Sequence, residues 1–153
     1  MMKKVLFGIL FIIFFVLCLI GLLLGFMYVE IKKYEKLAEK SEDIDVMNKL
    51  GTLYLRKKDY EKAEYYYKIA ISKNDTKALN DLAVIYMKTG NSEEAEKYFK
   101  LAIEKGNIKS MYNLGALYYL LERYEDSKLY LEMAKENGYK DTADLEEKLN
   151  RKL

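Results

Sequence analysis

The side chains that could do chemistry in this chain are carboxylates, lysines and tyrosines. It contains 15 tyrosines and 24 acidic residues, whereas histidine is absent and Cys18 is the only cysteine. A histidine-based catalyst, a metal site built on histidine or several cysteines, and an internal disulfide are therefore excluded. Acid–base chemistry by paired carboxylates and binding through aromatic rings or charges remain possible.

The carboxylates are interleaved with lysines on the outer faces of predicted helices, where charged side chains are ordinarily solvated. These surface carboxylates are Glu61, Glu64, Glu93, Glu94, Glu96, Glu125 and Asp126. Asp75 and Asp141 each precede a predicted helix and are expected to be N-cap or turn residues. We therefore predict a protein that is not an enzyme and that needs no cofactor and no metal ion.

The tyrosines follow a repeat of 32 residues. The segments NKLGTLY, NDLAVIY and YNLGALY recur, and each is followed by a stretch that ends YKIAISK, FKLAIEK or LEMAKEN. In each segment the apolar residues stand at i, i+3, i+4 and i+7, so they lie on one face of a helix. The repeat therefore predicts stacked helical hairpins. A small residue recurs in each repeat at the position of Gly51, which indicates that a second helix crosses closely there. Core packing is predicted for Tyr54, Tyr66, Tyr67, Tyr86, Tyr98, Tyr118 and Tyr130.

The pattern Leu-Gly-x-x-Tyr, followed by alanine, an aromatic residue and alanine, resembles the tetratricopeptide repeat. The resemblance covers residues 44–138 in three copies, at 44–75, 76–107 and 108–138. The period is 32 rather than about 34, and the proline that ends a repeat of the family is absent. The run AIEKGNIKSMYNLG is similar to the Sel1-like branch of the same superfamily. The resemblance implies an all-α fold, a right-handed α–α solenoid.

The repeat register extends beyond the three copies. Before the first copy, the positions that belong to the second helix of a repeat hold residues of matching type, namely Ile31, Tyr34 and Ala38. They predict a half-repeat over residues 30–43 that continues directly from the apolar segment before it. Residues 139–153 lose the Leu-Gly-x-x-Tyr signature, but Leu145 and Leu149 keep a narrow apolar stripe. This stripe predicts a capping helix with a polar outer face, which the exposed end of a solenoid requires.

The apolar segment from Val5 to Val29 follows a short basic N-terminus at residues 1–4, which holds Lys3 and Lys4. At 1.5 Å per residue its uncharged residues span roughly 37 Å, enough to cross a hydrocarbon core of about 30 Å. We therefore predict a transmembrane helix over residues 5–29. A cleaved signal peptide would have a shorter apolar stretch and a small-residue cleavage site. Lipid attachment at Cys18 would need small residues just before it.

The orientation of this helix depends on two opposing observations. Four lysines between residues 32 and 40 outnumber the two before the helix, which favours a cytoplasmic domain. However, a short dibasic N-terminus usually stays in the cytoplasm, and long domains cross the membrane largely regardless of charge. We therefore expect a single-pass membrane protein with its domain on the extracytoplasmic side.

In tetratricopeptide domains the first helices line a concave groove that binds peptides or helices. By that resemblance the groove here would present Asn48, Thr52, Arg56, Asn80, Met87, Lys88, Lys109, Tyr112 and Tyr119. Some family members clamp a C-terminal carboxylate with a fixed set of Lys, Asn and Arg residues, and only Lys109 fits that set here. Amides, methionine and tyrosine suit an extended or helical peptide with apolar anchors. Alternatively, Tyr119 packs between neighbouring repeats.

The sequence therefore predicts a membrane-anchored scaffold or adaptor that binds a protein or peptide in this groove. The alternative is a structural subunit whose groove is filled permanently within a larger envelope complex. Acidic and basic residues nearly balance outside the apolar segment, which argues against nucleic acid as a partner. A groove left exposed in the isolated protein would favour the scaffold, and insolubility without a partner would favour the structural subunit.

Overall fold

The computed structural model describes residues 2–41 and 43–152, with side chains from Ile9 onward. Met1, Glu42, Leu153 and the side chains of Lys3 and Lys4 lie outside the described residues. Within the described part of the chain all regular structure is helical, and the residues form two compact units, Met1–Glu42 and Asp43–Leu153. The predicted all-α fold is confirmed.

The first unit contains one long helix, α1 (Met2–Ala38). Its stretch Ile9–Ala38 is long and apolar enough to cross a membrane, and the 18 most apolar consecutive residues have a mean hydropathy of 3.2. The large apolar side chains from Ile9 to Phe26 are exposed, for example Leu22 at 73% and Phe26 at 72%, whereas Ile31 is 5% exposed. A membrane span and an N-terminal signal sequence share these properties.

The second unit contains three helical hairpins and a shorter last helix among its described residues. The hairpins pair α2 (Ile44–Arg56) with α3 (Tyr60–Ser72), α4 (Thr76–Lys88) with α5 (Ser92–Glu104), and α6 (Ile108–Leu120) with α7 (Tyr124–Glu136). The last helix is α8 (Ala143–Asn150). We call α2, α4 and α6 the first helices, and α3, α5 and α7 the second helices. Successive first helices begin 32 residues apart, which is the period of the sequence repeat.

Side-chain oxygen atoms cap the start of each first helix, from Asp43 on α2, Asp75 on α4 and Asn107 on α6. Asp43 Oδ1 accepts the backbone N–H of Asp45 at 2.8 Å, and Asp75 Oδ1 accepts that of Lys77 at 2.9 Å. Each carboxylate satisfies a backbone donor that has no partner within the helix. The predicted cap at Asp75 is thereby confirmed, whereas Asp141 lies in the turn before α8.

Small residues let the two helices of a hairpin approach closely. A Cβ atom added at Gly51 would lie 2.6 Å from Tyr67 Cε1, and one added at Gly115 would lie 3.2 Å from Leu131 Cγ. Both large side chains belong to the facing second helix and are at most 1% exposed. The close crossing predicted from the glycine phase is therefore confirmed.

Each hairpin also contains a pair of tyrosines whose rings contact each other across the two helices. The ring centroids are 5.7 Å apart for Tyr54 and Tyr66, 5.4 Å for Tyr86 and Tyr98, and 5.4 Å for Tyr118 and Tyr130. Tyr54 and Tyr118 are 2% exposed, while the other four are half-buried. The structure therefore confirms that these tyrosines serve packing.

A repeated tyrosine–glutamate hydrogen bond joins each hairpin to the next. Tyr86 OH donates to Glu64 Oε1 at 2.8 Å, and Tyr118 makes the same contact with Glu96 one repeat later. Burial, together with these bonds to carboxylates, raises the pKa of Tyr86 and of Tyr118 to about 12. Both glutamates are predicted above as solvated surface residues. That prediction is wrong for them, because each lies half-buried at a junction between hairpins.

Candidate protein-binding face

The candidate site is the face of the first helices that the hairpin cores do not use. Of the predicted groove residues, Thr52, Arg56, Lys88 and Lys109 are exposed, Asn48, Met87, Tyr112 and Tyr119 are half-buried, and Asn80 is buried. We call this set the first-helix face. The exposed group is the part of it that a ligand can reach without displacing other side chains.

Asn80 is the centre of a polar network between α4 and α6. Its side chain is 3% exposed, and its Oδ1 accepts hydrogen bonds from Ser110 Oγ at 3.0 Å and from Asn113 Nδ2 at 2.8 Å. Its Nδ2 donates to Asp81 Oδ1 at 3.1 Å. Because a buried amide needs partners for both its polar atoms, this network fixes α6 on α4. The predicted contact of Asn80 with a ligand would compete with these bonds.

On α2, Asn48 and Thr52 also contact other parts of the repeat domain. Asn48 Nδ2 donates to Asp75 Oδ2, which joins α2 to the start of α4. Thr52 Oγ1 lies 2.9 Å from the backbone oxygen of Asn48 and 3.1 Å from Tyr67 OH. These bonds hold Thr52 in a fixed position, although its side chain is still exposed.

Asp81 is a charged residue of α4 that the predicted site does not include. Its carboxyl is half-buried beside Asn80. Burial raises the pKa of Asp81, the hydrogen bond from Asn80 and the positive charge of Lys109 oppose this shift, and the charge of Asp75 adds to it. The sequence signal that could have identified this residue is its position as the single charge in the run ALNDLAVIYM.

Tyr112 and Tyr119 lie under α8. Both pack against the apolar cluster that α7 and α8 form together. Tyr112 also stacks on Tyr139 with 4.9 Å between ring centroids, and Tyr119 contacts Tyr124 at 5.7 Å. Of the two roles open to Tyr119, these contacts favour packing over a groove anchor.

The remaining chemistry of the first-helix face is that of a binding surface. Among the described residues, no group of three or more His, Cys, Asp or Glu side chains is placed to hold a metal ion. The face combines the exposed cations Arg56, Lys88 and Lys109 with the half-buried Met87 and Asp81. Charged residues around a small apolar surface are typical of surfaces that bind a protein or a peptide.

Comparisons with known proteins agree with this fold. The family model described as tetratricopeptide repeat matches residues 48–110. A search of curated protein sequences found no match. Among solved structures, the tetratricopeptide (TPR) domain of Arabidopsis OM64 is 23% identical, with a TM-score of 0.65, and the match covers 72% of this chain and 96% of that domain.

Two further solved structures show the same likeness. YrrB, described as a TPR protein with an unusual peptide-binding site, is 23% identical with a TM-score of 0.68, and the match covers 83% of this chain and 68% of YrrB. PilF of Pseudomonas aeruginosa is 19% identical with a TM-score of 0.63, and the match covers 74% of this chain and 55% of PilF. At these identities the likeness is one of fold. Residues 48–110 match the tetratricopeptide repeat model, and the helical hairpins share the fold of solved tetratricopeptide-repeat structures.

Proposed function

We propose that this protein is a membrane-anchored scaffold that binds a peptide or helix of a partner protein on its first-helix face. The observation that carries the proposal is that some positions of the first helices are buried in the repeat core while others are exposed. Residues at the recurring phases, such as Leu50, Leu82 and Leu114, are fully buried in the repeat core. Residues at the variable phases, such as Arg56 and Lys88, are exposed.

The charges of the face indicate the kind of ligand. Arg56 and Lys88 occupy equivalent positions in successive first helices, and Lys109 lies near Asp81. A segment with acidic side chains and at least one apolar anchor near Met87 would complement this arrangement. YrrB, which has a similar fold, is described as having a peptide-binding site, and this supports the proposed class of ligand.

The anchor in this proposal is α1. Large apolar side chains exposed along Ile9–Ala38 would be unfavourable in water and favourable in lipid. We expect the mature protein to keep residues 1–29, so intact-mass analysis of the membrane fraction should give the mass of the full chain. A mature N-terminus between Gly21 and Lys40 would instead identify the segment as a cleaved signal.

The proposed side of the membrane is the extracytoplasmic one, and cysteine labelling tests it. Cys18 lies within the apolar segment, so a single cysteine introduced as Lys105→Cys, at an exposed turn, provides an aqueous reporter. A membrane-impermeant maleimide should label it in intact cells. Labelling that requires lysis would place the domain in the cytoplasm.

Site-specific photocrosslinking tests the binding face in the full chain. A photoreactive amino acid at Thr52 or at Lys88 should give a discrete adduct with one partner in native membranes. The same amino acid at Glu94, on the second helix α5, should give none. Adducts of equal yield at all three positions would mean that the first-helix face has no special role.

A charge reversal on the face tests the proposed ligand chemistry, and a charge reversal elsewhere is its matched control. Arg56→Glu with Lys88→Glu should abolish the adduct formed at Thr52, because both substitutions repel an acidic ligand. Lys105→Glu with Lys140→Glu changes the net charge equally at exposed positions outside the first helices, and it should leave the adduct unchanged. Loss of the adduct in both double variants would show only a dependence on net charge, and it would contradict the proposed site.

A further inference from the structure

The face under α8 is equivalent to a face that receives a first helix elsewhere in the domain. Tyr112, Ala116 and Tyr119 stand 32 residues after Asn80, Val84 and Met87. On α4, Asn80 bonds to α6, while Val84 and Met87 pack against the cluster that includes Leu114 and Leu117 of α6. On α6, the equivalent residues pack against the cluster of Leu131, Leu145 and Leu149. Helix α8 therefore occupies the position of a fourth first helix.

As an occupant of that position, α8 is incomplete. It has 8 residues where α2, α4 and α6 have 13, and its N-cap residue Thr142 makes no side-chain capping bond. Lys128 stands where Glu64 and Glu96 stand in the earlier repeats, and Asn150 stands at the phase of Tyr118. The tyrosine–glutamate bond of the other junctions therefore has no counterpart between these two positions.

A cavity marks the place of this missing contact. Its volume is about 200 Å³, and it lies between α7 and α8. Its lining includes Lys128, Leu131, Glu132 and Asn150. Between the described side chains of α7 and α8, the polar contact is the exposed ion pair of Lys135 with Glu146, at 3.3 Å. Exposed ion pairs contribute little to stability, so the helix is held mainly by Leu145 and Leu149.

We propose that α8 is an exchangeable occupant of a helix-binding face, and that an amphipathic helix of a partner protein replaces it there. The partner helix carries two leucines or similar apolar residues four positions apart, which take the places of Leu145 and Leu149. It carries an acidic residue beside the first of them, which pairs with Lys135. A second acidic residue one position after the second leucine extends into the cavity toward Lys128, where α8 has only Asn150.

This surface is distinct from the exposed cations of the first-helix face, and the proposal does not depend on a ligand binding there. The occupant is argued from α8 itself. It already supplies the apolar spacing and one of the two charge pairs that the face can make. A partner with the second charge pair would bind more tightly than α8 does, although α8 has the advantage of being part of the same chain.

The test uses the full chain in detergent micelles and a labelled peptide of residues 139–153. In the variant Leu145→Asp with Leu149→Asp, the resident helix no longer competes, so the peptide should bind at least about tenfold more tightly than to the unmodified protein. A peptide with Asn150→Glu should bind about two- to fivefold more tightly than the native peptide, because it gains the pair with Lys128. That gain should disappear in a chain that also carries Lys128→Glu.

The matched control is the peptide with both leucines replaced by aspartate, which should not bind. Equal binding of the native and leucine-replaced peptides would overturn the proposal. Equal binding to the unmodified protein and to the double variant would also overturn it, because the site would then not lie under α8. Loss of the helical circular dichroism of the repeats in the double variant would show that α8 is an essential part of the core, and would overturn it too. A concentration-dependent dimer of the unmodified protein would assign the face to a second copy instead of a partner protein.

Discussion

The junction between the second and third hairpins differs in kind from the junction between the third hairpin and α8. The first combines buried leucines with the Asn80 network and the bond between Tyr118 and Glu96. The second depends on Leu145, Leu149 and an exposed ion pair. Half-buried or buried hydrogen bonds join the helices where a complete hairpin follows, whereas between the described side chains of α7 and α8 the hydrogen-bonded pair is the exposed one of Lys135 with Glu146. In a solenoid, where stability is close to a sum over repeats and junctions, the last junction is therefore the weakest.

The largest predicted effect comes from removing a leucine at the stronger junction. Leu117 is 2% exposed in the cluster between the second and third hairpins. Leu117→Ala should lower the free energy of unfolding by about 2–5 kcal/mol, because it leaves a cavity that the helices cannot close. Denaturant unfolding of the full chain in micelles, followed by circular dichroism, measures this loss.

Leu149→Ala is the matched control at the weaker junction, since Leu149 is 3% exposed. Its loss should be less than half that of Leu117→Ala, because α8 can detach without unfolding the repeats. Equal losses of unfolding free energy at the two positions would contradict the prediction that the two junctions differ in strength.

The second prediction compares packing inside the first and third hairpins. Gly51→Ala should cost about 1–3 kcal/mol, because its Cβ would lie 2.6 Å from a Tyr67 ring that is fully buried. Gly115→Ala should cost less than Gly51→Ala, because its Cβ would lie 3.2 Å from both Leu131 Cγ and the backbone oxygen of Ser127 rather than 2.6 Å from a ring, and alanine gains about 1 kcal/mol of helix propensity over glycine. Thermal melting of the two variants checks the order. A more destabilising Gly115→Ala would contradict the geometry.

The third prediction concerns the hydrogen bond between hairpins. Tyr118→Phe should cost about 0.5–1.5 kcal/mol, because it removes the bond to Glu96 while that carboxylate keeps its ion pairs with Lys100 and Arg123. Tyr139→Phe, near the C-terminal end, keeps the stacked ring on Tyr112 and should change the stability much less. If denaturant unfolding gave the same change for both variants, the tyrosine–glutamate bond would have no role in joining the hairpins.

The smallest predicted effect is a gain in stability within the third hairpin. Ser127 is fully buried, and its Oγ has no hydrogen-bond partner among the described residues. Alanine stands at the same phase in the earlier repeats, at Ala63 and Ala95. Ser127→Ala should therefore stabilise the protein by up to about 1 kcal/mol, because it removes an unsatisfied buried hydroxyl. A lower melting temperature for this variant would show that the hydroxyl does have a partner.

The sequence was sufficient to predict the hairpins, because their signals are local. Spacings of three and four residues assign the helical faces, and the shared phase of Gly51 and Gly115 predicts where the paired helices cross. Contacts between hairpins were less predictable. Asn80 has a polar side chain at a position predicted as groove, and only the placement of α6 shows that this side chain is buried.

The sequence also does not show which neighbours cover the tyrosines near the C-terminal end. The polar composition of residues 139–153 predicts a cap, but not which face the cap covers. Tyr112 and Tyr119 therefore qualify as groove anchors by their phase, and their packing against the α8 cluster becomes visible only in three dimensions. Glu64 is missed for the opposite reason, because a charged residue among lysines indicates solvent exposure unless its tyrosine partner is known.

The central claim is that the repeats are held together by cooperative junctions while α8 is attached independently. Hydrogen exchange of the unmodified full chain in micelles, resolved to single backbone amides, tests this claim most directly. We predict that the amides of α8 exchange through a local opening at least about tenfold faster than those buried in α4 and α6, which exchange only when the repeats unfold. Exchange of α8 at the same rate as α4 and α6 would contradict the account, because it would mean that the last helix opens only with the whole domain.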